Sequence, residues 1–354
     1  MLVLLALRKR VPYGRSYCPD TLPIALMASS IPDFLQDLYA QLDEELVSPV
    51  EMLFSESVED RLVGVVNLQH LCDEQSVPFL ISALSDSSED VVFTAVTSLW
   101  EIANQQAVVP LLQCLESHHD VKVRNEALMA LKELVNQDHL LILLDKFSLN
   151  DSCLDRAILI LLRKIHDIQA LPSIAPFLES SDDQLRYEAI ITLRYLNQLT
   201  HFPPALTLAS DPNVEVRKET MLTLAHLDEP DVLNLLMSAV TSDESWEVRR
   251  NAAQSLERKS DQQSSDALVQ AIGDEHWQVR KFSLRALKPL VQEPYVPAIV
   301  PLLCDDYSDV RKEAALVLGG VISEQAKTAL QQGLNDSDIE VRIASQKSLA
   351  KMAV

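Results

Sequence analysis

His118, His119 and Asp120 stand in a row, and imidazole and carboxylate are ligands that a transition metal accepts. They fall in a short polar stretch between two apolar ones, where a solvated turn is the plainer reading. His70 and His226 occupy equivalent places in the repeat described below but lie five repeats apart, so they cannot share a site; no HExxH spacing occurs. The five cysteines, Cys18, Cys72, Cys114, Cys153 and Cys304, are odd in number, scattered and without a CxxC pair. That is neither a disulfide framework nor a self-contained four-cysteine cluster site. It fits a reducing, cytoplasmic setting, with burial as small apolar groups the usual fate of such thiols. No Ser/His/Asp or Cys/His triad can be placed by spacing, and no glycine-rich phosphate loop is present. The expectation is therefore no catalytic residue and no metal site.

Recognition is the chemistry that the spacing does suggest. Lys218, Arg250, Lys281 and Lys312 follow one another at intervals of 32, 31 and 31 residues. In a chain with 30 Lys and Arg against 52 Asp and Glu, net charge −22, this is a local basic stripe. It would receive an acidic segment of a partner protein. The alternative is that these cations pair with acids such as Glu219 and Glu313 and sit in water, where such pairs contribute little. Tyr187, Tyr195 and Phe282 fall on the same face and would flank the stripe. Trp246 and Trp277 hold equivalent places and would stack as a platform for a partner. Val58, Val121, Val214 and Ile339 fill that slot elsewhere, which reads it as a helix-entry packing position.

The elements that carry these residues follow from the period. From the Arg of SWEVRRNAAQSL, Arg249, equivalents run forward to Arg280, Arg311 and Arg342. They run back to Arg217, Arg186, Arg156 and Arg124, then to Phe93 standing where an arginine would be, and to Arg61. The steps are 30 to 32 residues and define ten repeats. After each marker, small and apolar residues at +3, +4, +6 and +7 form one face of a helix. Before it lies a shorter apolar helix, often opened by proline, as in VPFLISAL or VPAIVPLL. Asp, Ser and Asn clusters between the two cap the next helix in place of glycine turns. The marker arginine reads as structural, lying near an aspartate of its own or a neighbouring repeat (Asp120, Asp211, Asp306 and Asp336 precede it), so that a run of pairs would form a ladder.

One hairpin cannot bury its apolar faces alone; stacked hairpins can. The fold expected is all-α, a solenoid of about ten helical hairpins over residues 31–354, opened by a capping helix at 32–46. Apolar residues make up 47% of the chain and aromatics only 5%, so Leu, Val, Ile and Ala must do the packing. Six glycines argue against a sandwich or barrel. The acidic balance speaks against nucleic acid, whose binding rests on neutralising phosphates. The opening MLVLLAL precedes RKR, the reverse of a secretory signal, and is too short to span a bilayer. Residues 1–30 are expected to be a disordered tail or a mis-annotated start with Met27 as the true one; a weak membrane-surface anchor is the alternative.

The pattern Ala/Val–Ile/Val–Pro–x–Leu, then Asp–x–x–x–Val–Arg–x–x–Ala–x–x–Ala–Leu, resembles the short HEAT-like repeats of the phycobilisome-lyase type over about residues 50–354. Within that group, deoxyhypusine hydroxylases carry His-Glu pairs that bind two irons. Here the corresponding pairs are Asn125-Glu126, Tyr187-Glu188, Lys218-Glu219 and Lys312-Glu313, without imidazole, which puts a di-iron site in doubt. The HEAT-like DNA glycosylases need a basic groove. What the resemblance implies is a non-catalytic scaffold holding a protein partner in a concave groove, similar to the cyanobacterial HEAT-repeat protein that binds an A-type iron–sulfur carrier. The alternative it implies is a phycobilin lyase or bilin-handling chaperone subunit, with Glu188 beside Tyr187 as the local hint. No cofactor is expected on the first reading; a bilin, or an iron–sulfur cluster shared with a partner, on the others.

Overall fold

The structure, a computed structural model, describes residues 31–147, 151–196 and 198–352. The expectation for residues 1–30 lies outside them. The described residues are helical throughout, with no strand among them, and they build the all-α solenoid of hairpins that the period requires. They fall into two compact blocks, one ending at Leu134 and one beginning at Val135. No helix among the described residues is long and apolar enough to cross a membrane.

The first block opens with a short helix, Asp33–Tyr39, followed by three hairpins. That opening helix is shorter than the stretch 32–46: Asp43 starts the next helix, Glu44–Leu53, which is already the first arm of a hairpin. The second block holds seven hairpins, their second arms running from Ser152–Ile165 to Ile339–Met352.

The two arms differ for sequence reasons. Second arms are regular helices of 11 to 14 residues. Their +3 position after the marker is small in most repeats (Gly64, Ala127, Ala189, Ala252, Ser283, Ala314), because it meets the first arm at close range. A Cβ on Gly64 would lie 2.8 Å from the Pro49 carbonyl oxygen. First arms carrying two prolines four residues apart do not stay α-helical. Leu171–Ile174 gives way to a tighter 3₁₀ turn at Ala175–Glu179, and Val296–Ile299 to one at Val300–Cys304. Pro176 and Pro301 cannot donate the i→i−4 bond and crowd that carbonyl, so the chain closes on i→i−3 bonds.

The turns are built from short polar side chains, not glycine. Ser57, Asp151, Asp182 and Asn213 each cap a second arm by accepting a backbone N–H with the side-chain oxygen. Asp73, Asn104, Asp167 and Asp261 do the same for the 3₁₀ turn that leads into a first arm. The residue just before each, Cys72, Ala103, His166 or Ser260, takes a left-handed conformation with φ of 48–58°. Glycine's usual place at a helix C-terminus is thus filled by residues that strain to occupy it.

The core lies between the two layers of arms and is almost wholly aliphatic; Phe79 and Phe177 are the aromatics buried in it. Successive second arms are also stitched by hydroxyls. Thr192 donates to the Leu159 carbonyl (3.0 Å), Thr223 to Ile190 (3.0 Å), Ser255 to Met221 (2.8 Å) and Ser348 to Ala315 (2.8 Å).

Candidate functional site

The marker arginines point along the stack. Arg61, Arg186, Arg217, Arg249, Arg280 and Arg311 each form a two-pronged pair with an aspartate of the following repeat: Asp86, Asp211, Asp243, Asp274, Asp305 and Asp336. The same guanidinium donates with Nη1 to two carbonyls in its own inter-arm turn, as Arg249 does to Asp243 and Glu244. The aspartate also accepts the N–H two residues on, as Asp274 does from His276. The expected ladder exists. Its partners are the next repeat's aspartates, and in one repeat the residue is Asp305, not Asp306. Asp120 accepts from the Lys122 N–H instead, and Arg156 turns to Glu188.

The stripe residues sit one place further on in the second arms. Lys218 pairs with Glu215 (2.8 Å), Lys281 with Asp309 (2.8 Å) and Lys312 with Glu340 (3.1 Å). Arg250 bonds the Asn251 side chain and lies 5.4 Å from the centre of the Trp246 ring. Lys281 lies over Trp277 at 5.7 Å. The carboxylate on Lys312 raises its pKa through their hydrogen bond, against some burial. Glu219 and Glu313, named from the sequence as neighbours of the stripe, are placed otherwise. Glu219 takes Arg194 (2.9 Å). Glu313 has its pKa raised by burial, although Arg285, Lys288, Lys281 and Lys312 pull it the other way.

Phe282 carries the Arg285 guanidinium over its ring at 5.3 Å. Burial, then Glu219 and Glu188, push the Tyr187 phenol up. Glu188, the residue that hinted at a pigment site, is 4% exposed and engaged by Arg156 and Arg163. It does not open onto the surface.

The two tryptophans do not meet face to face. Each stacks on the residue that immediately precedes the next second arm: Trp246 on His276 (3.7 Å) and Trp277 on Tyr307 (5.0 Å), with His276 6.4 Å from Trp277. The result is a continuous aromatic row, half-buried up to an exposed Tyr307. Of the described cysteines only Cys114 is buried, its thiol pushed up to about 11 by burial; Cys72, Cys153 and Cys304 are exposed. No group of three His, Cys, Asp or Glu among the described residues could hold a metal ion.

Models of HEAT repeats match residues 50–132, 171–257, 236–306 and 265–350. The chain belongs to the HEAT-repeat family. The stretch between the first two matches contains the block boundary. A search of curated proteins found no match. Among solved structures, the HEAT array is similar to an engineered protein at 19% identity and TM-score 0.53, over 88% of this chain and 100% of that one. It is also similar, at 14% identity and TM-score 0.55, to a chain from a structure of Kap95p with RanGDP, over 94% of this chain and 56% of that one. At such identities the likeness shows the fold.

Sequence reasoning missed the other end of the second arms. Arg194, His226, Arg258 and Arg285 stand in their last turns or just beyond and line a cavity of about 520 Å³. The signal was present in the +5, +8 and +9 columns after the marker, read across repeats instead of along one.

Proposed function

We propose that this HEAT-repeat chain is a non-catalytic scaffold that binds a partner protein on the face formed by its second arms. The observation that supports it best is the register. Lys218, Arg250, Lys281 and Lys312 occupy one column of successive second arms, with Tyr187 in the same column one arm earlier and Phe282 next to Lys281, on helices whose core is built without them. Solenoids offer extended faces of this kind to partners. The paired acids Glu215, Asp309 and Glu340 hold these cations in place, so a partner's carboxylates meet groups already oriented. A concave groove, a cytoplasmic setting and a partner that is an A-type iron–sulfur carrier are the finer parts of this proposal, and they rest on the resemblance and on the cysteine pattern.

The test is capture of partners from the native lysate, with the visible spectrum of the eluate recorded first. A defined partner in a colourless or iron–sulfur-absorbing eluate, lost on charge reversal at Lys218, Arg250, Lys281 and Lys312, is the expected result. A long-wavelength bilin band accompanied by phycobiliprotein subunits replaces the scaffold with bilin handling.

A further inference from the structure

In a chain of net charge −22, the cavity at the C-terminal ends of four successive second arms inverts the balance. Its charged lining is Arg194, Arg258 and Arg285 against one carboxylate, Glu257, with His226, Gln254 and Ser255 completing the polar wall. A second cavity of about 440 Å³ adjoins it and shares Arg194, His226 and Arg258. Two of the guanidiniums are tethered, Arg194 to Glu219 at 2.9 Å and Arg285 to Glu257 at 3.0 Å. Among the described residues Arg258 has no hydrogen-bond or ion-pair partner, and neither has the His226 ring. Cations in a last helical turn are favoured by the helix dipole, which accounts for one arginine per helix. It does not account for the convergence of three helices' arginines on one cavity, nor for the unpartnered imidazole among them.

We infer that this cavity receives a single oxyanionic side chain, carboxylate or phosphorylated hydroxyl, from an acidic segment of the partner protein. Arg258 forms the new fork-like pair with it, and Arg194 and Arg285, held by their glutamates, flank it. The inference rests on the scaffold reading for the source of the anion, but the cavity's affinity can be measured without any partner. His226 supplies the readout. Burial, then Arg258, Arg194 and Lys259, hold its pKa below the ordinary histidine range. Glu257, Glu219 on Arg194 at 2.9 Å and Asp228 on Lys259 at 3.2 Å are the acids nearby, and His166 and Arg285 line the same pair of cavities. An anion beside Arg258 offsets the cations, raises the His226 pKa and is bound more tightly as pH falls through it.

The experiment is NMR of histidine-labelled full-length chain, titrated at fixed ionic strength with inorganic phosphate, with acetylated tetraglutamate, and with chloride as reference. The expected result is a saturable shift of the His226 ring signals with phosphate or tetraglutamate and none with chloride. The affinity falls at least tenfold in Arg258→Glu, and Lys327→Glu, on the surface of a first arm, leaves it unchanged. Tighter phosphate binding identifies a phosphorylated hydroxyl as the guest; tighter tetraglutamate binding identifies a carboxylate. No saturable shift with either, or equal binding by Arg258→Glu, overturns the inference. Anion binding without capture of any partner from lysate instead removes the scaffold reading and leaves the cavity standing.

Discussion

Arg249 grips Asp274, 25 residues downstream, with Nε 2.6 Å and Nη2 3.1 Å from the two carboxylate oxygens. Asp274 is in turn held from the other side, its carbonyl accepting Arg280 at 2.9 Å. Both side chains of the pair are only 10% exposed. Removing Asp274 leaves Arg249, in a nearly dry site, with only the exposed Glu275 carboxylate at 3.3 Å. Asp274→Ala is expected to cost about 3 kcal/mol, whereas Asp306→Ala, exposed beside the ladder residue Asp305 of the next repeat, stays within about 0.5 kcal/mol. Urea unfolding of the two variants side by side measures both.

The ladder also sets a response to acid. The Arg311 hydrogen bond, opposed by some burial, holds Asp336 below the usual carboxylate range. Burial pushes Asp86 up, but Arg61 and the Ser88 N–H outweigh it, and its pKa too is lowered. A carboxylate with a depressed folded pKa contributes fully above its unfolded value, about 4, and loses that contribution as pH falls through the folded one. The urea midpoint should therefore drop below about pH 4, and drop less steeply there in Arg311→Gln.

Close approach of neighbouring arms makes two glycines unequal. A Cβ on Gly319 would lie 2.8 Å from the Ser348 Cα, a backbone atom that cannot step aside. Gly319→Ala is expected to cost about 2 kcal/mol, with little rescue by Ser348→Ala. A Cβ on Gly333 would meet the Ser345 hydroxyl at 2.4 Å and its Cβ only at 3.2 Å. Gly333→Ala should therefore be largely rescued by Ser345→Ala in a double-mutant cycle followed by thermal unfolding.

The strained helix ends predict a gain. Ser260 has φ 48° and Ala103 φ 58°, a region that costs an L-residue about 1–2 kcal/mol. Ser260→Gly and Ala103→Gly relieve that strain at some cost in chain entropy. Each should raise stability by up to about 1 kcal/mol. Ser260→Val should lower it, since branching at Cβ tightens the clash.

The period and the two-arm repeat were legible because each is written ten times, and the ladder because its arginine recurs in nine of the ten, so that one weak copy such as Phe93 cannot hide the rest. The register of the ladder was not. Asp305 and Asp306 are adjacent and chemically identical, and only the geometry of the turn decides which carboxylate reaches Arg280. The Trp246–His276 stack was hidden for a related reason: its members sit at different offsets from their own arginines, so aligning repeats separates them. The cavity escaped because its lining comes from unlike residues at unlike offsets. Arg194 and Arg285 each mean little alone and become neighbours only once the arms are stacked.

Each aspartate of the ladder belongs to the repeat after the arginine that clasps it, and from Arg186 to Arg311 each repeat that supplies an aspartate also supplies the next arginine. Within that run a whole repeat can therefore be added or deleted without stranding a charge, whereas a cut between the aspartate and the arginine of one repeat strands both. Along this run, length is free to change in whole steps while every joint stays chemically matched.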